Sequence, residues 1–301
     1  MRHMWMRGIG ASALACLIPL AAAAGRPAPT SELTAAQIVE KNAQARGGVQ
    51  AWRKVETMLW AGHIETGNSA APIVPFIFEL KRPNKTRFEI RQEQQKLVRV
   101  FDGMAGWKER DPRGGAPSVK PYTPEELASA REAHGIDGLL IDHEAKGIDI
   151  RLDGTEQIEG RKAYRLLATL PSGTKHHVWV DAATFLELKY DRESHTAEGR
   201  AAIVNVFLRN YRAVEGLQIP TTIESGGANG RGVEKMVIDN VTLNPSLSDA
   251  RFDKPSDLER PHTLPGVRGW GPPRPESQSN LGSGIKATVC GDPSYLIRTT
   301  A

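Results

Sequence analysis

The stretch KHHVWVDAATFLELKYDR, residues 175–192, decides the fold because it has the pattern of a β-hairpin. Apolar residues alternate with polar ones in both strands: Val178 and Val180 share a face of the first, and Leu186, Leu188 and Tyr190 share a face of the second, opposite Glu187 and Lys189. A period of two is typical of a strand with one buried and one solvent-exposed side. Asp181-Ala182-Ala183-Thr184 forms the turn, where the Asp side chain can bond the backbone two residues on.

Similar alternation occurs before and after this hairpin, which predicts one sheet built by repeating it. Earlier strands end at turn signals such as Arg82-Pro83-Asn84-Lys85 and Asp102-Gly103, and later strands meet at Glu215-Gly216. No helical pattern is evident between Ile148 and Leu243. Consecutive strands joined by short turns predict an antiparallel meander.

Three short helices interrupt the strand pattern. Thr34 and Gln37 have the spacing of a capping box that opens the first helix, and Gly47-Gly48 ends it after Arg46. Residues 49–55 predict a second helix with Trp52 and Val55 turned inward. Thr123-Pro124-Glu125-Glu126 opens the third, with a capping box and a proline at the first helical position. The apolar patch Ile136–Ile141 follows and must cover another part of the protein.

The N-terminus predicts export. Arg2 and Arg7 precede a short apolar run, and small residues follow, with cleavage expected just before Ala24 or Gly25. This pattern is typical of a secretory signal peptide, since the run is shorter than the roughly 20 residues of a membrane span. We therefore expect a soluble periplasmic protein without a transmembrane span in the mature chain. The alternative is a lipoprotein anchored through Cys16, although the residues before Cys16 fit a lipobox poorly.

Charge and cysteine content exclude several classes of protein. The 301-residue chain has a formal net charge of +4. The excess of basic residues lies in the leader and in the tail from Arg260 onward, so the part between is nearly neutral and has no basic stripe for a nucleic acid. Once the leader is removed only Cys290 remains, so we expect no intrachain disulfide. The tail is rich in Gly, Pro and Ser, which predicts disorder.

Six pieces of the sequence together resemble the outer-membrane lipoprotein-sorting family of periplasmic carriers, the broad LolA-like group. The resemblance covers roughly residues 33–255. The six pieces on which it rests are Ala45-Arg46-Gly47-Gly48, Phe101-Asp102-Gly103 with Gly106-Trp107, Thr123-Pro124-Glu125-Glu126-Leu127, Ala145-Lys146-Gly147, Val180-Asp181-Ala182-Ala183-Thr184-Phe185-Leu186, and Asn210-Tyr211-Arg212 with Gly216-Leu217-Gln218-Ile219-Pro220.

The resemblance implies an α+β fold, a strongly curved and incompletely closed antiparallel β-barrel with helices covering its concave face. With the N-terminal and C-terminal patterns, the expected organisation is a signal peptide at 1–24, a flexible lead-in at 25–32, the half-barrel domain at 33–258 and a disordered tail at 259–301. The resemblance also implies a chaperone-like carrier that binds a lipid, or the acyl chains of a lipoprotein, for lipoprotein sorting or lipid transport. Envelope proteins that donate and accept the cargo would be its partners.

Apolar residues of strands and helices supply the candidate binding site. Each is weighed against a filled core, which the sequence does not distinguish from an empty cavity. The lipid-cavity candidates are Trp60, Phe76, Phe78, Phe88, Ile90, Trp107, Leu166, Val178 and Val180. The lid candidates are Ile38, Leu127, Leu139, Leu140 and Ile141.

Metal and catalytic chemistry have little support in the sequence, and we expect no metal, no cofactor and no enzyme activity. His176 and His177 are adjacent in a strand and point to opposite faces. The His134, Asp137, Asp142 and His143 cluster has no familiar ligand spacing and is expected at a solvated surface. The motifs G-x-S-x-G, H-E-x-x-H and C-x-x-C and the Walker loop are missing from the chain.

Three hypotheses of function follow. The first is a non-enzymatic periplasmic carrier. The second is an envelope sensor of the same fold, which would bind a protein partner through its concave face or its tail. The third, with the least support, is a lipid-ester hydrolase with a serine assembled from distant positions.

Overall fold

Strands make up most of the described chain, as the repeated alternation predicted. The computed structural model describes residues 33–65, 73–92, 95–111, 117–195, 201–227 and 234–255. Its helices are α1 (Ala35–Ala45), α2 (Val49–Arg53) and α3 (Pro124–Glu132), with a 3-10 helix at Asp249–Phe252. Its strands are β1 (Thr57–Glu65), β2 (Ile73–Lys81), β3 (Lys85–Gln92), β4 (Gln95–Phe101), β5 (Gly106–Asp111), β6 (Ser118–Pro121), β7 (Asp149–Ile158), β8 (Arg161–Thr169), β9 (Lys175–Asp181), β10 (Glu187–His195), β11 (Ala201–Val214), β12 (Leu217–Gly227) and β13 (Glu234–Leu243).

These strands form one antiparallel sheet in the order β6-β5-β4-β3-β2-β1-β13-β12-β11-β10-β9-β8-β7. The chain meanders outward from β1 to β6, crosses to β7, and meanders back to β13. Strands β1 and β13 pair in the middle of the sheet, with Met58 opposite Leu243 and Glu65 opposite Lys235. The edges β6 and β7 do not pair with each other. The sheet is therefore a curved, incompletely closed antiparallel barrel, which confirms the predicted fold class.

The concave face carries the main core. Trp60, Phe78 and Phe88 stand opposite one another on β1, β2 and β3, with ring centroids 5.6 and 5.7 Å apart. Phe76 stacks on Phe88 at 5.6 Å. Edge-to-face and stacked aromatic pairs add to the free energy gained by burying the rings. We call these four residues the aromatic cluster.

The convex face has smaller cores of its own. Val98 and Val100 pack under Phe252 of the 3-10 helix, and Trp179 packs with Ile158 and Leu188. Buried charges also lie on this side: Arg251 bonds Glu79 at 2.8 Å. The segment after β13 therefore covers part of the convex face.

The hairpin at 175–192 forms as predicted, but the predicted faces of its second strand are wrong. A bulge between Glu187 and Lys189 shifts the register, so that Glu187 stands opposite Val180 and Tyr190 opposite Val178. Glu187 therefore lies on the concave face with Tyr190, while Leu188 packs beside Trp179 on the convex face. Strict alternation misassigns a strand wherever an extra residue is inserted.

The helix signals are confirmed. Both predicted capping boxes are present, with Thr34 and Thr123 as the N-caps. After α1 and its C-cap Arg46 comes Gly47, where φ is +106° and a Cβ atom would lie 2.5 Å from the Gly216 carbonyl oxygen. Only glycine allows this close approach of α1 to the β11–β12 turn.

Residues 133–148, here called the crossing segment, connect α3 to β7 and hence the two edges of the sheet. The segment is a series of turns. It buries Leu140 and Ile141, and Ile141 belongs to the main core. The apolar patch predicted at 136–141 thus covers part of the concave face, as a series of turns.

Several predictions lie outside the described residues: the signal peptide, the lead-in before residue 33, Cys16, and the tail beyond residue 255. Strand β6 has no counterpart among the predicted strands. Within the described ranges, no helix has the length and apolar character needed to span a membrane.

Candidate functional site

A cleft lies between the crossing segment and the concave face of the sheet. Its volume is about 130 Å³, which is below the roughly 300–1,000 Å³ of pockets that enclose a drug-sized ligand. The apolar lining comes from α2, β1, the crossing segment and β9 to β12: Trp52, Trp60, Ile136, Leu139, Val178, Leu208, Ile219 and Ile223. The polar lining is Arg46, Ser129, Glu132, His134, His176, Glu187, Tyr190 and Arg192.

Arg46 enters the cleft from the end of α1, where it is the C-cap residue. Its guanidinium lies 4.5 Å from the centre of the Trp52 ring. Its carbonyl oxygen accepts hydrogen bonds from Trp52 Nε1 and from the Gln218 backbone. The main chain of Arg46 is therefore fixed to α2 and to β12, and the ring of Trp52 holds the side chain by a cation–π contact.

Glu187 is the buried carboxylate that faces Arg46. Both of its oxygens lie 3.4 Å from Arg46 Nη1, and the two side chains are 6% and 9% exposed. The Tyr211 hydroxyl donates to the Glu187 carbonyl oxygen at 3.1 Å. Burial raises the pKa of Tyr211, so its phenol stays protonated and keeps donating. The bulge in β10 is what brings Glu187 to this face.

Asp137 binds two cations: Arg82 connects the crossing segment to the sheet, and Lys146 belongs to the segment itself. Its oxygens accept from Arg82 Nη2 at 2.7 Å and from Lys146 Nζ at 2.6 Å. Burial alone would raise the pKa of Asp137, but Lys146 and Arg82 together hold it below its ordinary value. The Asp137 carbonyl oxygen also accepts from Arg46 Nη1 at 3.0 Å. The segment is thus held by charged groups from α1, from the β2–β3 turn and from itself.

Lys146 and Arg53 complete this attachment. Lys146 Nζ donates to the carbonyl oxygens of Gly138 and Ile141 at 2.7 and 2.6 Å, which folds the segment around one ammonium group. Burial lowers the pKa of Lys146, although Asp137 opposes that shift. Arg53 of α2 binds Asp142 through two bonds of 2.8 and 2.6 Å at the surface.

The start of α3 has its own anchor. Glu126 accepts from Arg99 at 3.2 Å, from Lys108 at 2.7 Å and from the Thr123 backbone at 2.8 Å. Burial would raise the pKa of Glu126, but these cations and the backbone donor hold it below its ordinary value. The crossing segment therefore continues from a helix whose first turn is fixed to β4 and β5.

A second hollow lies around the β2–β3 turn and is more polar. Its volume is about 520 Å³. Its cations are already paired, since Lys81 and Lys85 contact Asp249 and Arg82 and Lys146 contact Asp137. The smaller cleft, with its apolar walls, is the better candidate site.

The predicted cavity residues divide into three groups. Trp60 and Val178 line the cleft. Phe76, Phe78, Phe88, Ile90, Leu166 and Val180 are buried on the concave face outside the lining. Trp107 stands opposite Val100 and so faces the convex side, away from the cleft.

Among the lid candidates, Leu139 lines the cleft and Leu140 and Ile141 are buried in the same segment. Ile38 is buried on α1, and Leu127 of α3 packs against Phe101 and Tyr122. The structure thus brings together the middle of the crossing segment, Trp60 and Val178.

Arg46 and Glu187 were not among the predicted site residues. Arg46 was read only as the end of a helix, and the strict alternation placed Glu187 on the wrong face. The signal for Arg46 was its position before Gly47-Gly48, where the chain must pass close to another element. No sequence signal marks the bulge that turns Glu187 inward.

His176 and His177 point to opposite faces, as their adjacent positions predicted, but in the His134, Asp137, Asp142 and His143 cluster Asp137 is buried and His134 lines the cleft. His176 lines the cleft, and His177 on the opposite face bonds Asp191 at 2.8 Å. Asp137 was expected at a solvated surface, yet it is 4% exposed and paired with two cations. Among the described residues, no group of three or more His, Cys, Asp and Glu could hold a metal ion.

No protein-family model matches the chain, and no curated protein matches it in sequence. Several solved structures are similar to it in fold. A DUF1329 family protein from Desulfovibrio piger is 16% identical, with a TM-score of 0.47 over 71% of this chain and 97% of that one. A LolA superfamily protein from Nitrosomonas europaea is 17% identical, with a TM-score of 0.45 over 74% and 98%.

An outer membrane lipoprotein-sorting protein domain from Vibrio parahaemolyticus is 13% identical, with a TM-score of 0.38 over 72% and 95%. Two of these three proteins carry the names of the group that the sequence resembles. The class is an open, curved antiparallel sheet with helices on its concave face, and that description rests on the strand pairing itself.

Proposed function

We propose that this protein is a non-enzymatic carrier that binds the acyl chain of a lipid or lipoprotein in the cleft under the crossing segment. The observation that carries the proposal is an apolar cleft, continuous with the main core, whose cover is attached by charged side chains. Burial of each CH₂ group contributes about 0.8 kcal/mol, so a long chain gains from leaving water. The periplasm would be its compartment, with lipoprotein sorting or lipid transport as its task.

The small volume of the cleft implies that the protein must open before an acyl chain can enter. At about 130 Å³ it does not accommodate a long chain while the crossing segment is in place. Loading would therefore move residues 133–148 outward, breaking the bonds of Arg46 and Arg82 to that segment, while Lys146 keeps the segment folded on itself. Polar attachments suit a moving cover, because each freed group can be hydrated when the segment opens.

A tryptophan placed in the cleft tests where the chain binds. Leu208 lies on the concave side of β11 and lines the cleft, whereas Ile203 lies on the convex side of the same strand and is 50% exposed. Leu208→Trp fills the cleft, and Ile203→Trp is the matched control. Purified variants are mixed with palmitoyl-lysophosphatidylcholine below its critical micelle concentration. Native mass spectrometry then measures the number of lipid molecules bound to each variant.

We expect one lipid bound to the unchanged protein and to Ile203→Trp, and loss of binding in Leu208→Trp. Hydrogen exchange at residues 135–147 should rise when lipid binds. Full binding by a folded Leu208→Trp variant would place the chain elsewhere and refute the proposal. Absence of binding to the unchanged protein would favour the second hypothesis, an envelope sensor that recognises a protein partner.

A further inference from the structure

The guanidinium of Arg46 has more hydrogen-bond donors than the protein uses. Arginine has five N–H donors. Within the described chain, all of the side-chain hydrogen bonds of Arg46 are made by Nη1, to the Asp137 carbonyl oxygen and to Glu187. Nε is buried and has no hydrogen-bond partner among these residues. The Nη2 donors are likewise unused there, and Arg46 lines the cleft.

The ion pair with Glu187 is also loose. Hydrogen bonds between a guanidinium and a carboxylate are about 2.7–2.9 Å long, whereas both oxygens of Glu187 lie 3.4 Å from the same nitrogen. A bidentate pair would use two different nitrogens of the guanidinium. Glu187 therefore balances the charge of Arg46 without satisfying its donors.

The Arg46 guanidinium is buried against an aromatic ring, in a cleft whose lining is partly polar. The face of its guanidinium lies against the Trp52 ring at 4.5 Å, and the side chain is 6% exposed. A buried donor without a partner is costly, and a ligand that supplies an acceptor recovers this cost. The charge of the group decides which acceptor fits. A second carboxylate beside Glu187 would be repelled, whereas a neutral carbonyl oxygen would not.

We infer that Arg46 is a head-group anchor, whose free donors bind the uncharged carbonyl oxygen of the ester or amide that joins the acyl chain to its cargo. This inference rests on the proposed function and names the substrate class within it: acylated molecules, and not free fatty acids. Arg192, the other buried arginine of the lining, lies further along β10, beyond Tyr190.

Two probes that differ at one group test the inference. 1-Lauroylglycerol has an ester carbonyl, and 1-O-dodecylglycerol has a CH₂ group in its place. Dodecanoate has the same chain and a negative charge. Binding of each is titrated by the fluorescence of Trp52 and Trp60, which line the cleft, and by native mass spectrometry. We expect the ester to bind about tenfold more tightly than the ether, since one bond to a charged donor is gained, and dodecanoate to bind less tightly than the ester.

The ratio of the ester affinity to the ether affinity distinguishes recognition of the carbonyl by Arg46 from a purely structural role of Arg46. Arg46→Lys keeps the charge beside Glu187 but removes the planar set of donors, and it should lower the ratio to less than about threefold. The double variant Arg46→Met, Glu187→Gln removes both charges at similar volume and should give a ratio of about one. Arg212→Lys is the matched control, because Arg212 is exposed and donates to the Asp239 carbonyl oxygen at 3.3 Å. It should leave the ratio unchanged.

Each of the other outcomes refutes a specific part of the inference or of the proposed function. If Arg46 only held the crossing segment, ester and ether affinities would change together and the ratio would persist in Arg46→Lys. Equal binding of ester and ether by the unchanged protein would refute the anchor and leave the carrier proposal intact. If neither these probes nor any long-chain amphiphile binds, the proposed function itself is wrong.

Discussion

Two parts of the molecule on the concave side of the sheet are held in place by different physical interactions. The aromatic cluster of Trp60, Phe76, Phe78 and Phe88 is held by ring contacts, and its members are at most 5% exposed. The crossing segment is held by Arg46 and Arg82, which both bond its Asp137, and Lys146 folds the segment on itself. Apolar packing depends little on pH and salt, whereas ionic attachment depends on both. The comparison indicates a fixed core beside a releasable cover.

The largest effect should come from emptying the aromatic cluster. Phe78→Ala removes a ring that is 1% exposed and leaves a cavity, so we expect a loss of about 3–5 kcal/mol in the free energy of unfolding. Urea denaturation measures it. Ile203→Ala, at an exposed site, should change stability by less than about 0.5 kcal/mol. A small loss in Phe78→Ala would mean that this core is not tightly packed.

A smaller effect should follow from neutralising the attachment of the cover. Asp137→Asn keeps the shape but leaves Lys146 and Arg82 without their carboxylate, and we expect a loss of about 2–3 kcal/mol, since Arg82 remains partly hydrated. Hydrogen exchange should rise at residues 135–147 and stay slow in β1, β2 and β3. Equal acceleration in both regions would contradict the separation of core and cover.

Acid should reproduce this difference without a mutation. The folded pKa of Asp137 and that of Glu126 lie below their ordinary values. The stability that these groups contribute is therefore present above an unfolded pKa of about 4 and is lost as the pH falls through the folded pKa.

We expect limited proteolysis to cut the crossing segment first as the pH falls below about 4, before the aromatic cluster unfolds. Lys146 acts at the other end of the pH range. Burial lowers its pKa, so the folded protein binds this proton less tightly than the unfolded chain does, and stability should not fall as Lys146 loses its proton at alkaline pH. In Asp137→Asn the acid dependence of segment cleavage should be reduced; an unchanged profile would assign it to other carboxylates.

The smallest effect belongs to the surface pair of Arg53 and Asp142. Both bonds are short, but Arg53 is exposed to water, which screens the pair. Arg53→Gln should leave the urea midpoint unchanged and slightly raise hydrogen exchange near residue 142. In the unchanged protein, 1 M salt should produce the same small increase. A large drop in the midpoint would show that this pair carries the attachment.

The sequence predicted the elements of the fold well, since their signals are local. The Thr34 and Thr123 capping boxes, the turn at Asp181 and the glycines after Arg46 each act within a few residues. Asp181 Oδ1 accepts from the Ala183 and Thr184 backbone, as the turn pattern indicated. Such signals need no knowledge of distant residues.

The site was harder to predict because it depends on register and on distant partners. One bulge in β10 moved Glu187 from the expected wet face to the cleft and Leu188 to the opposite face. Asp137 looked like a surface residue because its partner Arg82 is distant in sequence. Trp107 shares the apolar character of Trp60 but has the opposite parity in its strand. Residue type alone does not distinguish these cases.

The pairing of β1 with β13 has a consequence for how the protein is made. The centre of the sheet joins the first strand that is synthesised to the last one, while its edges β6 and β7 come from the middle of the chain. Such long-range pairs are slow to form, because a long loop must close first. The sheet therefore cannot be completed until residue 243 is available.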